Sequence, residues 1–132
     1  MKIGRLATLT GCSVQSIRYY EKEKLLPPMR RSDGNFRLYD PAAVEQLKFI
    51  KQCRSLDLSL AEIRQLIELN LQPGMQCDEV NKMVNAHIEH VALRIKELHY
   101  LQKQLKSLRA SCSINRTIKE CGILKNLSVN QK

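Results

Sequence analysis

The sequence predicts a mainly α-helical fold, in which a small helical head with a basic hairpin precedes one long helix. Two short apolar segments flank a turn at Gly11-Cys12-Ser13, and an Asp33-Gly34 pair lies between two basic extended runs. Further on, apolar residues recur at alternating spacings of four and three between Val84 and Leu105. A chain of 132 residues suits one compact module plus an extension. We therefore predict divisions at residues 1–70, 71–110 and 111–132.

Composition indicates an acidic partner. Lys and Arg number 22 against 13 Asp and Glu, a net charge of +9, and such a balance favours nucleic acid or an anionic membrane surface. No run reaches the roughly 20 apolar residues of a membrane helix. The N-terminal segment lacks the apolar core of a signal peptide, because Thr8, Thr10 and Ser13 interrupt it. We therefore expect a cytoplasmic protein whose five cysteines stay reduced.

The first two helices form a helix-turn-helix candidate. A short first helix covers the apolar residues before Gly11, and Ser13 stands at the N-cap position of the next. The second helix is predicted from Val14 to about Glu21, with Val14, Ile17 and Tyr20 toward the core. Two short helices joined by a tight glycine-containing turn are typical of this motif.

The segment from Met29 to Tyr39 is a predicted hairpin. Consecutive prolines at Pro27-Pro28 end the helical region because they fix an extended path, and Asp33-Gly34 predicts the turn. Its arms are rich in arginine, so the hairpin is a wing that can reach the DNA backbone or minor groove. The head is therefore predicted to be a winged helix-turn-helix DNA-binding domain.

Two further helices follow the wing. Asp40-Pro41 begins the first, with Asp at the cap and Pro at the first helical position. Ser59 caps the second, and Glu62 completes a capping box. The apolar positions are Val44, Leu47, Phe49 and Ile50 in the first helix and Leu60, Ile63, Leu66 and Ile67 in the second.

A long helix is predicted from about Asp78 to Arg109. Its apolar spacing is that of a coiled-coil seam. The chain has no second helix of this kind to cover the seam, so we expect a homodimer; packing against the chain's own head is the alternative. The seam positions are Val84, Ile88, Val91, Ile95, Leu98, Gln102 and Leu105.

Cysteines flank both ends of this helix. Cys77 precedes it, and Cys112 and Cys121 bracket eight residues after it. The helix is on the order of 45 Å long, too long for Cys77 and Cys112 of one subunit to share an ion. In an antiparallel dimer, Cys77 of the partner subunit approaches both loop thiols, and three thiolates suit soft ions such as cadmium, lead, mercury or zinc. The alternative, inert buried cysteine, is the interpretation that we favour for Cys12 and Cys53.

Other chemistry has weaker support. His87 and His90 lie one helical turn apart and are candidates for an auxiliary ion, although such a pair is more often a solvated or packed face; His99 has no evident partner. The sequence contains no Gly-rich phosphate loop and no Ser/His/Asp arrangement with supporting context. An enzyme is therefore the least favoured class.

Several segments resemble the MerR family of regulators. IGRLATLTGCSVQSIRYYEKEKLLPP and RSDGNFRLYD resemble its helix-turn-helix and wing, and FIKQCRSLDLSLAEIRQLI resembles its second helical pair. CDEVN, LRASCS and ECGIL are similar to the cadmium- and lead-responsive branch, the CadR- and PbrR-like sensors. The resemblance implies an antiparallel dimer that binds metal through Cys112 and Cys121 with Cys77 of the partner subunit. It also implies DNA contacts by Gln15, Ser16, Arg18, Tyr19, Tyr20, Arg31, Asn35, Arg37 and Tyr39, with core packing as the alternative for Tyr20 and Tyr39.

The resemblance further implies a C-terminal metal-binding loop and a homodimer on double-stranded promoter DNA with RNA polymerase holoenzyme. Binding of Cd(II) or Pb(II) would distort the DNA and activate a heavy-metal resistance promoter. Hg(II) is an alternative because mercury sensors share the eight-residue spacing. Zn(II) is another, although zinc sensors usually add a histidine that residues 113–120 lack. A redox regulator with a Cys112–Cys121 disulfide and a metal-buffering protein with an incidental basic face are competing hypotheses.

Overall fold

The computed structural model describes residues 1–114 and 116–129 and is mainly α-helical. Two compact units comprise Met1–Val80 and Asn81–Lys132. The predicted divisions after residues 70 and 110 coincide with the ends of two helices, while the roles given to those segments stay predictions. The elements are α1 (Ile3–Thr10), α2 (Val14–Lys22), β1 (Arg30–Arg31), β2 (Arg37–Leu38), α3 (Ala42–Ser55), α4 (Leu60–Asn70), α5 (Asp78–Ala110), a 3-10 turn (Ile118–Glu120) and α6 (Gly122–Val129).

The turn between α1 and α2 has the predicted chemistry. Gly11 ends α1 in the left-handed region, with φ 71°, where its N–H donates to the Ala7 carbonyl and where a glycine has no Cβ to clash. The Ser13 hydroxyl accepts a 3.0 Å hydrogen bond from the Ser16 N–H, which confirms the N-cap. Ile17 is fully buried on the inner side of α2, so the periodicity also assigned the core face correctly.

Two apolar clusters fill the unit Met1–Val80. Complete burial of one such aliphatic side chain stabilises the fold by roughly 1.5–3 kcal/mol. Tyr20 and Leu26 pack against both clusters and so join them. The first cluster contains Leu6, Ile17, Tyr39, Ala43 and Leu47; the second contains Leu25, Ile50, Cys53, Leu58 and Ile63.

The predicted hairpin is present. β1 and β2 pair antiparallel, with Arg30 opposite Leu38 and Arg31 opposite Arg37. The left-handed residue of the turn is Asn35, with φ 62°, rather than Gly34 of the Asp-Gly pair. Asparagine tolerates this region because its short side chain bonds locally.

Both later helices begin with side-chain caps. Asp40 Oδ1 accepts a 2.8 Å hydrogen bond from the Ala42 N–H, and Pro41 already has helical dihedral angles. The Ser59 hydroxyl accepts from the Glu62 N–H at 3.1 Å, and Glu62 Oε1 accepts from the Ser59 N–H at 2.9 Å. The predicted capping box is therefore confirmed.

The long helix α5 runs without a break over 33 residues. The apolar residues of its predicted seam are 40–58% exposed in the single chain, and Gln102 is exposed as well. A row of half-exposed large apolar side chains on one helix typically marks a surface that another chain covers. Along residues 1–114 and 116–129, no helix is both long and apolar enough to cross a bilayer.

Candidate nucleic-acid interface and metal centre

The outer face of α2 presents polar and aromatic side chains. Gln15, Arg18 and Tyr19 are exposed, whereas Ser16 is half-buried and its hydroxyl bonds to that of Ser13 at 2.9 Å. Amide, guanidinium and phenol groups supply hydrogen bonds to base edges and phosphates. Three of the five residues assigned to DNA on this helix therefore lie on its accessible side, whereas Ser16 and Tyr20 are half-buried.

The tip of the wing is also exposed. Arg31 Nη1 donates to the Asn35 carbonyl at 3.3 Å, so its guanidinium stays near the turn. Lys2 Nζ lies 4.3 Å from the centre of the Phe36 ring, a cation–π distance. Lys2 was not assigned to the wing from the sequence, because this lysine precedes α1 and is distant from the wing in sequence.

The base of the wing is tied to α2 through Glu21. Arg37 Nη1 lies 3.5 Å from Glu21 Oε2, and the Tyr39 hydroxyl donates to the same oxygen at 2.6 Å. Glu21 was assigned no role from the sequence either, because an acidic residue on a predicted DNA-binding helix is not an expected DNA contact. Its contacts indicate that it orients the wing.

Tyr39 occupies the core. Its side chain is only 2% exposed, and burial, followed by the hydrogen bond to Glu21, raises the pKa of its phenol. Its backbone pairs in both directions with Met1, whose ammonium donates to the Tyr39 carbonyl at 2.8 Å. A side chain so buried offers almost no surface to DNA, so its placement supports core packing instead. Tyr20 is half-buried between the two apolar clusters.

The segments that carry Cys112 and Cys121 lie against each other, since a Cβ on Gly122 would overlap the carbonyl oxygen of Ser111, so the structure places the two predicted loop ligands in adjoining segments. A hydrogen bond from the backbone N–H of Leu124 and then the Cys112 thiol lower the pKa of Cys121. α6 begins at Gly122, so the first-turn N–H groups face this sulfur. A helix N-terminus favours thiolate in this way.

Two residues beside the thiols were missed. Arg109 Nη1 donates to the Cys112 carbonyl at 2.8 Å, and its charge also lowers the pKa of Cys121. A Cβ on Gly122 would overlap the Ser111 carbonyl oxygen, so only glycine permits this approach of the two cysteine segments. A glycine directly after Cys121 and a basic residue three before Cys112 were the available signals.

The third predicted ligand lies in the other unit. Cys77 is exposed and lines a cavity of about 290 Å³ with Phe49, Leu66, Met75 and other residues. Within the described part of one chain, no three His, Cys, Asp or Glu side chains converge as a metal site. Ligation by Cys77 of the partner subunit therefore stays a prediction. So does the auxiliary ion, for which His87 is half-buried and His90 exposed.

Two family models match the chain. MerR HTH family regulatory protein matches residues 1–70, and MerR, DNA binding matches residues 44–108. The HTH-type transcriptional regulator ZntR homolog of Haemophilus influenzae is 47% identical over 109 residues, which cover 83% of this chain and 81% of that protein. The ZntR regulator of Escherichia coli K12 is 35% identical over 128 residues, or 96% of this chain and 91% of its own.

Solved structures agree with this assignment. The transcription regulator PbrR691 from Ralstonia metallidurans CH34, in complex with lead(II), is 50% identical with a TM-score of 0.83, covering 96% of this chain and 98% of its own. MerR from Bacillus megaterium MB1, in complex with mercury(II), is 29% identical with a TM-score of 0.67, covering 97% and 99%. The expected fold class is thus confirmed, as is the expectation that the protein is not an enzyme. The chain belongs to the MerR family of helix-turn-helix transcriptional regulators.

Proposed function

We propose that this regulator responds to a soft metal ion, with Cd(II) or Pb(II) as the inducer, and activates a heavy-metal resistance promoter. In this proposal a homodimer binds the promoter DNA, where RNA polymerase holoenzyme is the further partner. Each ion is held by Cys112 and Cys121 with Cys77 of the partner subunit.

The close approach of the Cys112 and Cys121 segments carries the proposal. Two thiols in adjoining segments are suited to chelate one ion, and soft thiolates prefer soft or borderline metals. The lowered pKa of Cys121 favours the thiolate, which is the form that binds metal. A bound divalent cation would supply the positive charge that draws the remaining thiols into the deprotonated state.

The third ligand is assigned to a second chain on two grounds. The half-exposed seam of α5 supports a dimer, since burying it removes apolar side chains from water. Cys77 and Cys112 lie just outside opposite ends of this 33-residue helix, which is about 50 Å long at 1.5 Å per residue. Antiparallel pairing would set the start of one helix beside the end of the other.

The choice of ion rests on similarity and on the donor set. PbrR691, which was solved with lead(II), is 50% identical, and the mercury(II)-bound MerR is 29% identical. Three sulfur donors without nitrogen suit cadmium, lead and mercury, and residues 113–120 contain no histidine for a mixed zinc site. Hg(II) and Zn(II) are the alternatives against which Cd(II) and Pb(II) are tested.

The exposed faces of α2 and the wing are the proposed DNA contacts. Bending or unwinding a site of this length costs on the order of several kcal/mol. Ligation at the thiols would favour a dimer conformation in which α4 and α5 hold the heads on distorted promoter DNA. To favour this conformation over the one on undistorted DNA, the metal must bind it more tightly by a free energy similar to the cost of distorting the DNA.

A promoter reporter exposed in parallel to cadmium, lead, mercury and zinc tests the proposal. We expect induction by Cd(II) or Pb(II) at the lowest concentrations and its loss in Cys112→Ser, with the DNA footprint retained. Cys12→Ser, which removes a thiol outside the loop, is the control and keeps its response. Full induction of the Cys112→Ser protein would exclude Cys112 as a ligand.

The closeness of the two cysteine segments also favours a redox regulator, since two neighbouring thiols can form a disulfide. Here Cys112 and Cys121 would be oxidised together, with two electrons passing to a disulfide-type oxidant. A reporter response to such an oxidant without added metal, and none to metal with the reduced protein, would support this alternative over metal sensing.

A further inference from the structure

The loop between the two thiols contains a cross-link of hydrogen bonds centred on Arg116. Its Nε donates to the Ser113 hydroxyl at 3.0 Å, and its Nη1 lies 3.5 Å from Glu120 Oε2. Ser113 directly follows Cys112, and Glu120 directly precedes Cys121. One guanidinium therefore bridges the two residues that adjoin the thiols.

The carboxylate in this cross-link is itself held in place. The Thr117 hydroxyl donates to Glu120 Oε1 at 3.0 Å, so each carboxylate oxygen has a donor. The Glu120 N–H also donates to the Thr117 carbonyl at 3.0 Å, at the start of the 3-10 turn Ile118–Glu120. The acceptor for Arg116 is thus fixed by the backbone immediately before Cys121.

The chemistry of arginine suits this bridge. Its planar guanidinium has five donors in fixed directions and bonds two acceptors at once, whereas a lysine ammonium is a point charge on a flexible stem. Holding the ends of a loop together costs conformational entropy, and contacts that do so in advance raise ligand affinity. Metal binding would then need less ordering of the eight residues between the cysteines.

We propose that Arg116 is a positioning residue, which holds Cys112 and Cys121 together in the metal-free protein by bridging Ser113 and Glu120. The inference rests on the proposed function in so far as these thiols are the metal ligands. Arg116 touches neither sulfur in this role; it acts through the residues beside them.

The thiol pair can be tested without metal. Metal-free full-length protein is equilibrated with reduced and oxidised glutathione, and peptide mapping by mass spectrometry gives the fraction with a Cys112–Cys121 disulfide. From this fraction follows the effective concentration that each of the two thiols has in the presence of the other. We expect Arg116→Ala to lower this concentration about two- to fivefold, the range for exposed polar contacts. Arg116→Lys should give a smaller loss. Lys119→Ala removes the same charge from the same loop and should match the wild type.

Metal affinity gives a second readout. Competition for Cd(II) against a chelator should show a loss for Arg116→Ala of the same size as its loss of effective thiol concentration. Wild-type values for Arg116→Ala, or equal losses in Arg116→Ala and Lys119→Ala, would overturn the proposal, the latter because charge alone would explain them. If Cys112→Ser retained full induction, the proposed function would fail while the glutathione experiment still decided on Arg116.

Discussion

The hydroxyl of Tyr39 donates a 2.6 Å hydrogen bond to Glu21 and thereby joins the base of the wing to α2. Arg37 reaches the same carboxylate oxygen from the wing at 3.5 Å. The tyrosine is anchored in turn, because it is buried in the first apolar cluster and its backbone pairs with Met1. The orientation of the wing beside the helix therefore depends on contacts made by a buried tyrosine and an acid within the head.

This anchor should be visible in the pH dependence of stability. The pKa of Tyr39 is raised in the folded state by burial and by Glu21. The protonated Tyr39 hydroxyl therefore contributes its full stabilisation of the fold below the ordinary tyrosine pKa of about 10. This stabilisation is lost as the pH rises through the raised pKa of the folded protein. Tyr39→Phe should remove this alkaline loss and lower the free energy of unfolding at pH 7 by about 1 kcal/mol, as measured by urea denaturation.

Tyr19→Phe is the control for that experiment. Tyr19 is 48% exposed, so removing its hydroxyl should leave stability at pH 7 and its alkaline decline unchanged. An identical alkaline decline in the Tyr39→Phe and wild-type proteins would show that the Tyr39 hydroxyl is not responsible.

The α5 seam predicts a matched pair of charge insertions. Ile95 lies on the predicted seam and is 50% exposed in the single chain, whereas Leu93 is off the seam and 57% exposed. Ile95→Lys should shift the protein toward monomer, because a dimer would bury two ammonium groups in its interface. Leu93→Lys should remain dimeric at the same concentration in analytical ultracentrifugation. Equal behaviour of the two variants would rule out the seam as the dimer interface.

Local sequence signals predicted the elements better than the contacts between them. Ser13, Asp40 and the Ser59–Glu62 pair cap helices through neighbours two or three residues away, so their roles follow from short-range chemistry. Tyr39 is different, since its hydrogen-bond partners Glu21 and Met1 are 18 and 38 residues distant in sequence. In the sequence, an aromatic residue beside a basic wing is compatible with a DNA contact and with a core position. Distinguishing the two roles requires the contacts of the folded chain.

For the thiol site as well, the sequence predicted local features but not the contacts between segments. The spacing of Cys112 and Cys121 around an eight-residue loop indicated a ligand pair, and the segments that carry them lie against each other. The spacing did not reveal the role of Gly122, because its need for glycine comes from the Ser111 carbonyl of the segment it packs against. Nor can spacing within one chain test a ligand supplied by another.

The exposed guanidinium of Arg18 should contribute to DNA affinity. Arg18→Ala is expected to weaken promoter binding by about 1–3 kcal/mol if the side chain reads a base, or to reduce the salt slope by about one if it contacts phosphate. Electrophoretic mobility shifts at several salt concentrations separate the two cases. Lys96→Ala removes an exposed cation from α5 and should change neither quantity. Wild-type affinity and slope in Arg18→Ala would remove Arg18 from the interface.

The thiols should differ in reactivity. The pKa of Cys121 is lowered by the Leu124 N–H, by Cys112 and by Arg109, whereas burial raises the pKa of Cys53. In reduced, metal-free protein near pH 7, iodoacetamide should therefore alkylate Cys121 well before Cys53, because the thiolate is the nucleophile. Mass spectrometry of quenched time points measures both rates.

Arg109→Gln provides the variant for that measurement. Loss of its positive charge should slow alkylation of Cys121, while Arg94→Gln, which alters an exposed cation elsewhere on α5, should leave the rate unchanged. Equal slowing by both substitutions would assign the effect to overall charge instead of to the guanidinium beside Cys112.

Gly122→Ala should separate the two cysteine segments. A Cβ at this position would overlap the Ser111 carbonyl oxygen, which is backbone and cannot rotate away, so the segments must move apart for the variant to form α6. We expect a fall of about tenfold or more in Cd(II) affinity, since such a shift costs on the order of 1–3 kcal/mol. Gly74→Ala adds the same methyl group where no atom lies within 4 Å and should bind as the wild type does. Unchanged affinity in Gly122→Ala would mean that the metal-bound loop does not keep the close approach of Gly122 to Ser111.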